Sequence, residues 1–378
     1  MRFPEFSGEW ENLSLNDIVL EKKKRVSSST LTTSTYISTE NMLQNFAGVS
    51  KANGVPSNNV VEYKIGDILI SNIRPYLKKI WLANQNGGCS SDIIVLSPCE
   101  NYDGSFVYYL LANDGFVSYV MSGAKGLKMP RGDKQQILKY GISIPSLKEQ
   151  RKIAALLDLF DQHIETQKKI IEKYESLIRG LITYVNNGKV GRCEKVCLRE
   201  LLIECHEKNS DNHEVCSVSV SHGVINQVDY LGRSFAAKEV LHYNVVNYGD
   251  IIYTKSPTGD FPYGIIKRSD IHKPVAVSPL YGVYRPINDY IGRYLHLYFK
   301  SPINAKNYLH RLIQKGAKNT INITNQHFLN NKIQIPEPDV LEVFVHAASE
   351  IEKKILAENR ALASFEKQKN YLLSKMFI

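Results

Sequence analysis

The sequence predicts a mixed α/β (α+β) protein: two tandem, pseudo-symmetric domains separated by two long helices that pair as an antiparallel coiled coil. Three observations carry this prediction. An apolar seam with heptad spacing occupies residues 145–188, a second seam fills the last forty residues, and short motifs recur in the same order ahead of each. The boundaries that follow are a first domain over 1–145, a long helix and linker over 146–190, a second domain over 191–336 and a closing long helix over 337–378.

In the first half, Leu13–Lys22 reads as a short helix or strand, and the Ser/Thr run Ser27–Thr35 as a loop or strand edge. Asp67–Ile73 and Ile93–Leu96 are apolar and β-branched, which suits strands. An amphipathic helix is expected over Phe106–Met121, then a Gly- and Lys-containing loop and a strand into Ile144-Pro145. The first long helix follows. Ser146 and Glu149 form an S-x-x-E capping box after Pro145, and Asn186, Asn187 and Gly188 supply the stop. Between them lie roughly 40 residues, about 60 Å of helix. Ile153, Leu157, Phe160, Ile164, Gln167, Ile171, Tyr174, Ile178, Leu181 and Val185 alternate by four and three, apolar except at Gln167. Such a seam calls for a partner helix.

Asn186–Lys195 reads as the linker. In the second half, strands are expected at Asp250–Thr254 and Val275–Tyr284, an amphipathic helix at Tyr290–Ile313, and a strand into Ile335-Pro336. Asp339 with Glu342 gives a cap-like start to the second long helix. Its seam is Leu341, Phe344, Ala348, Ile351, Ile355, Glu358, Leu362, Phe365, Lys369, Leu372 and Met376. When Pro145 is placed on Pro336, the two seams coincide from Ile153/Phe344 to Val185/Met376, and Gln167 falls on Glu358. Polar groups at matching seam positions are a register device that costs stability. The competing reading makes each helix only the amphipathic face of its own domain. Helices of about 11–12 residues suffice for that in ordinary domains.

Internal repetition supports the duplication. Leu15-Asn-Asp-Ile18 matches Leu198-Arg-Glu-Leu201, and Gly66-Asp-Ile-Leu69 matches Gly249-Asp-Ile-Ile252. Gly123-Ala-Lys125 matches Gly316-Ala-Lys318, and Ile144-Pro145 matches Ile335-Pro336.

A chain of 378 residues suggests two to three domains, and 43% apolar content is ample for real cores. The net charge of +9 and pI near 9.0 favour a polyanionic partner, nucleic acid by default. Cys89, Cys99, Cys193, Cys197, Cys205 and Cys216 show no disulfide-framework spacing, which points to a reducing, cytoplasmic setting. Met1–Trp10 lacks the apolar core of a secretory signal, and no run reaches the length of a membrane span.

Catalytic signatures are missing. There is no phosphate-cradling G-x-x-x-x-G-K-[ST], no G-x-G-x-x-G after a strand, and no Pro-Pro pair to build an amino-methyltransferase motif. Asp339 with Glu352-Lys-Lys354 is a weak nuclease-like match. Its carboxylates sit on one predicted helix, whereas metal-dependent nucleases want them on adjacent strands around one ion. Cys193, Cys197, Cys205, His206, His213 and Cys216 form a loose cluster without the paired spacing of a zinc module, so no metal is assigned. His310 and His327 read as structural or solvent-facing.

Basic residues recur in matching places of the two halves. The first half has Lys22, Lys23, Lys24 and Arg25; Arg74, Lys78 and Lys79 beside Tyr76 and Trp81; and Lys125, Lys128 and Arg131. The second has Arg233, Lys255, Lys267, Arg268, Lys315 and Lys318. Lysine and arginine on loops neutralise phosphates, and can pair with guanine edges in the major groove. Any one of these residues alone reads more readily as solvated surface charge than as a contact. Their recurrence points to the loops more than to individual side chains.

The order of these motifs resembles type I restriction–modification specificity subunits (HsdS-like) over almost the whole chain. The resemblance rests on Trp10 to Ile18, Tyr36-Ile-Ser-Thr-Glu-Asn-Met42, and Gly66-Asp-Ile-Leu-Ile-Ser71 with Arg74. The second half adds Ser217-Val-Ser-Val-Ser221, Tyr248-Gly-Asp-Ile-Ile-Tyr253 and Val277-Ser-Pro-Leu-Tyr281. Ile144-Pro-Ser-Leu-Lys-Glu-Gln150 with its long helix resembles the family's central conserved region, and Tyr371-Leu-Leu-Ser-Lys-Met-Phe377 its C-terminal end. The second boundary, Ile335-Pro-Glu-Pro-Asp339, lacks the Glu-Gln of the first. The resemblance implies two target-recognition domains reading an asymmetric, bipartite DNA target, with the paired helices as spacer and platform for two methyltransferase subunits. Motor-nuclease subunits complete the restriction enzyme. S-adenosylmethionine belongs to the methyltransferase partner and ATP and magnesium to the nuclease partner, with no cofactor and no catalysis in this chain. The alternative from another class is a coiled-coil scaffold whose two domains bind protein or RNA.

Overall fold

The computed structural model describes residues 2–231, 239–315 and 321–377, without the side chains of 230, 231, 314, 315, 321 and 322. The chain groups into two units. One comprises Met1–Lys168 with Asn359–Ile378, the other Lys169–Glu358, so each takes one end of both long helices.

In the first unit, Glu11–Ser14 pairs antiparallel with Gly141–Ile144 and ties the start of the domain to the strand leading into the long helix. A four-stranded antiparallel sheet follows in the order Val19–Glu21, Ile93–Pro98, Ile68–Ser71, Ile80–Leu82. Its central strands are buried on both faces. Ile68, Ile70, Ile94 and Leu96 pack against the helices with Phe106, Val107 and Leu110. Leu69, Ile93 and Val95 pack the other way, with Ile37, Met42, Tyr63 and Trp81. Period-two alternation therefore divides one apolar run between two cores. The second core lies under a small sheet of Arg25–Val26, Val60–Tyr63, Gly87–Cys89 and Tyr36–Ile37.

The second unit repeats the plan. Cys193–Cys197 pairs antiparallel with Lys332–Pro336. The central sheet runs Leu202–Glu204, Gly282–Pro286, Ile251–Tyr253, Ile266–Arg268, the same order as in the first unit. Ile251, Tyr253 and Tyr284 face the helices, and Ile252 and Val283 face a separate cluster with Val246, Val275 and Val277.

The repeated Gly-Asp has a shared backbone cause. Gly66 and Gly249 both take positive φ, +87° and +90°, and their N–H groups donate to Ala83 and Ser269 carbonyls at 2.8 Å. The buried Asp67 and Asp250 accept from the N–H groups of Lys64 and Asn247, at 2.7 and 2.8 Å. A β-carbon is costly where φ is positive, so this turn demands glycine.

Several expected elements divide. Phe106–Met121 is two helices, Gly104–Leu111 and Asp114–Ser122, because Asn113 caps the second through Phe116 N–H at 3.0 Å. Tyr290–Ile313 splits into Asp289–Phe299 and Pro302–His310. Ser301 caps the second piece, and Pro302 has no N–H to continue the first. Val275–Tyr284 splits into strands Val275–Val277 and Gly282–Pro286 around a turn. Leu13–Lys22 is strand, one helical turn at Leu15–Ile18, then strand, and Ser27–Thr35 contains a 3-10 turn at Ser28–Thr30. The expected linker loses its C-terminal residues to the Cys193–Cys197 strand.

The long helices span Leu147–Asn186 and Pro338–Met376, 40 and 39 residues. Gly188 closes the first in the left-handed region, φ +66°. The start differs from a capping box. Ser146 Oγ accepts from Glu149 N–H at 3.4 Å, but the Glu149 carboxylate turns to Arg2, which grips it through Nε at 2.8 Å and Nη2 at 2.7 Å. At the second start, the Glu342 carboxylate accepts from Tyr290 OH at 2.9 Å.

Every seam residue named above is buried or half-buried, Gln167 and Glu358 included. Within the first unit, Lys369 pairs with Asp161, and Phe365 stacks on His163 at 5.4 Å. Asp161 also accepts from Tyr109 OH at 2.6 Å, as Asp158 does at 2.8 Å. Within the second, Ile178, Ile182 and Val185 share a cluster with Leu341, Phe344 and Ala348. Lys354 lies 5.9 Å from the Tyr174 ring. Among the described residues, no helix is long and apolar enough to cross a membrane.

Candidate nucleic-acid interface

In the first unit, three loops are knitted together through their backbones. Residues 72–79 leave the central strand and pass through a 3-10 turn, Pro75–Leu77, flanked by two residues in the left-handed region, Arg74 (φ +51°) and Lys78 (φ +55°). Non-glycine residues held there store roughly 1–3 kcal/mol each and concentrate at functional sites. Leu77 and Lys78 carbonyls accept from Asn45 and Phe46 N–H at 3.1 and 2.8 Å. On the other side lies a hairpin in which Lys125 and Arg131 exchange N–H···O bonds of 2.9 Å. Arg74 N–H donates to the Pro130 carbonyl at 2.8 Å, and Gly132 N–H to the Asn72 carbonyl at 3.0 Å.

This framework brings together Arg74, Lys78, Lys79, Lys125, Lys128 and Arg131. Lys78 pairs with Asp114 at 2.7 Å, Arg131 with Asp92 at 3.1 Å, and Lys125 with Asp133 at 3.7 Å. Lys79 donates to the Thr39 carbonyl; burial, then the charge of Arg74, lowers its pKa. Arg74 and Lys128 are exposed and have no ion pair among the described residues. Exposed Tyr76, Leu127 and Met129 lie between these cations in the chain. The patch combines positive charge with apolar and aromatic side chains, which suits phosphate contact and base contact together.

The other basic run of this half is held by its own sheets. Lys22 grips the buried Asp67 through both carboxylate oxygens at 2.8 and 2.7 Å. Lys23 pairs with Glu21 at 3.5 Å, Lys24 with Glu62 at 2.9 Å, and Arg25 donates to the Asn59 carbonyl at 3.3 Å. None of these pairs involves the 72–79 or 125–131 loops.

In the second unit the cations sit deeper. Lys255 is half-buried, and burial lowers its pKa. Lys267 is 4% exposed; burial, then the nearby Lys300, lowers its pKa to about 8. Arg268 is 2% exposed and joins Asp270 and Asp289 beneath the Tyr248 ring, 4.7 Å away. Lys315 lies on a short strand whose backbone pairs with Ile321, as Lys125 pairs with Arg131. Arg233 and Lys318 fall outside the described residues. Glu352 faces Lys300 at 3.7 Å, and burial raises its pKa. It lies on the same helix as Asp339, so the nuclease-like pair has no second strand to work across.

Leu127 and Met129 were not legible as site residues, since two apolar side chains among lysines read as core. The signal available was Gly126 and Pro130 around them, which marks a turn. The clamp of Arg2 on Glu149 was likewise invisible, because nothing local links residues so far apart.

The family model described as type I restriction modification DNA specificity domain matches residues 7–176. A stretch of 150 residues is 24% identical to the type I restriction enzyme EcoDI specificity subunit of Escherichia coli, covering 40% of this chain. That stretch spans about a third (32%) of the relative's length. The type I restriction–modification S subunit from M. genitalium superposes with a TM-score of 0.63 at 13% identity, covering 100% of this chain and 99% of the other. A structure described under complex assembly and conformational transition of the type I R-M system gives 0.53 at 15% identity, with 98% of both chains covered. These likenesses extend the fold over the whole chain and bear out the resemblance read from the sequence.

Proposed function

We propose, from the match of residues 7–176 to the type I restriction modification DNA specificity family model, that the chain is the DNA sequence-specificity subunit of a type I restriction–modification complex. The observation that carries this is the duplicated plan: two central sheets of identical strand order, each followed by a hairpin and then a helix of about forty residues. A duplicated reader fits a bipartite, asymmetric target, one half-site per domain. In the first domain, Arg74, Lys125, Lys128 and Arg131 are the exposed cations for phosphates or guanine edges, Lys125 and Arg131 each with an aspartate partner, and Lys78 and Lys79 are half-buried beside them. In the second, Lys255 and Lys315 take that part, together with Arg233 and Lys318, which lie outside the described residues. Lys22, Lys23, Arg25 and Lys267 contribute positive potential more than direct contacts.

We read the two long helices as an antiparallel coiled coil. Seams that are buried or half-buried along their length support this, as does the way Lys369 meets Asp161 and Lys354 meets Tyr174. In this reading helix length sets the gap between half-sites, and the helices offer docking faces to two methyltransferase subunits and to motor-nuclease subunits. The chain itself is non-catalytic. S-adenosylmethionine chemistry is left to the methyltransferase, which must take its adenine out of the stack, and ATP and magnesium to the nuclease.

The test is binding of the full chain, with its methyltransferase, to duplex DNA across a salt series. A log–log slope steeper than about −4 is expected from several phosphate contacts. Absent or salt-insensitive binding would support a scaffold for protein or RNA instead.

A further inference from the structure

The tip of the 125–131 hairpin is unlike the rest of the first unit's surface. Leu127 is 105% exposed, the most exposed large apolar residue described, and Met129 is 50% exposed. The tip is built, not loose. Gly126 sits at φ +102°, and a β-carbon there would come within 3.2 Å of the Met129 carbonyl oxygen. Below it, the paired Lys125–Arg131 bonds and the Arg74–Pro130 bond fix the hairpin to the strained 72–79 loop. Lys125, Lys128 and Arg131 thus share one hairpin with the projecting Leu127, and Arg74 is bonded to its base; Asp133 and Asp92 pair with Lys125 and Arg131, which leaves Lys128 and Arg74 without an ion pair among the described residues.

An isolated leucine of this exposure has no folding role. The cations of its hairpin and of the adjoining 72–79 loop complement a polyanion, and the polyanion with an apolar interior open to a thin wedge is a nucleic-acid duplex. Proteins that insert leucine or methionine between base pairs unstack the step and kink the helix, while flanking cations hold the phosphates on either side. We propose that Leu127 is such a wedge: the hairpin inserts it into a base step of the DNA bound by the first domain, with Met129 against the exposed base face. This rests on the DNA-binding reading above and adds to it a means of deforming the target. The wedge would favour an easily unstacked pyrimidine–purine step, a preference that needs no hydrogen bond to a base.

The full chain is tested without any methyltransferase, so that base extrusion cannot produce the signal. The probes are duplexes carrying the sequence that the chain selects from a randomised library, with 2-aminopurine placed in turn at each adenine. A several-fold fluorescence rise confined to one step is expected. Leu127→Ala should abolish most of that rise at saturating protein with an unchanged melting temperature. Lys128→Ala should weaken binding but keep the rise once saturated. Binding with flat fluorescence at every position, or a rise that survives in Leu127→Ala, overturns the wedge and leaves DNA recognition standing. If the chain selects no sequence and binds no duplex, the functional reading falls and the wedge with it. If Leu127→Ala instead loses methyltransferase binding while the fluorescence is intact, the tip belongs to a protein contact and the wedge is wrong.

Discussion

Replacing Arg268 by alanine separates a structural cation from a DNA contact. Its guanidinium is 2% exposed and joins Asp270 and Asp289 under Tyr248. Removing the side chain strips buried methylenes worth about 0.8 kcal/mol each, about 2 kcal/mol in all. The two aspartates are 64% and 55% exposed, so solvent screens their loss and the pairs add only about 1 kcal/mol together. A total of about 3 kcal/mol lowers the melting temperature of a unit this size by about 6–12 °C. Thermal unfolding followed by circular dichroism reads that shift. Arg268→Met, which keeps the stem, should recover more than half of it, and neither variant should change DNA affinity at a temperature where both are folded. A shift under 2 °C with DNA binding lost would refute the reasoning and return Arg268 to the interface.

Other consequences are as direct. Lys267 carries a folded-state pKa near 8 against an ordinary 10.5, so the unfolded chain holds the proton across that window and stability rises from pH 8 to 10. Chemical denaturation at both pH values checks it, and Lys267→Met should flatten the rise. Leu157, fully buried at the seam, should cost about 3–5 kcal/mol as alanine, and a loss under 1 kcal/mol would mean that the seam is not a packed core. Arg74→Gly relieves a left-handed backbone of about 1 kcal/mol, so stability should hold or rise. DNA affinity should fall by about 1–3 kcal/mol, and a titration showing equal affinity would take Arg74 out of the interface. Inserting seven residues in both long helices lengthens each by about 10 Å. That should widen the gap between half-sites by about three base pairs while leaving the half-site sequences intact; altered half-sites would defeat the ruler.

Local pattern and internal repetition made much of this chain legible. The long helices were readable because heptad spacing persists over ten turns. The central strands were readable because Ile68–Ser71 and Ile251–Tyr253 each follow a Gly-Asp that needs a left-handed turn. What escaped was set by contacts distant in sequence. The double caps at Asn113 and Ser301 broke helices whose apolar pattern runs on, because side-chain caps and a missing proline N–H outweigh periodicity. Glu149 has the spacing of a capping residue, yet Arg2 captures its carboxylate with two charge-assisted bonds, stronger than one backbone N–H. The basic residues were legible as a class but not by role. Lys22 and Arg268 look the same in sequence as Arg74 and Lys128, and only burial and carboxylate partners tell them apart.

The central claim is that this chain chooses which DNA sequence a partner modifies. A genome-wide adenine-methylation map, made with and without the chain in cells holding its methyltransferase, tests it most directly. The account predicts methylation at one asymmetric motif, two short half-sites around a fixed unread gap, that vanishes when the chain is removed and changes in one half only when residues 1–145 are exchanged. Methylation unchanged by removal, or confined to a continuous motif, would contradict it.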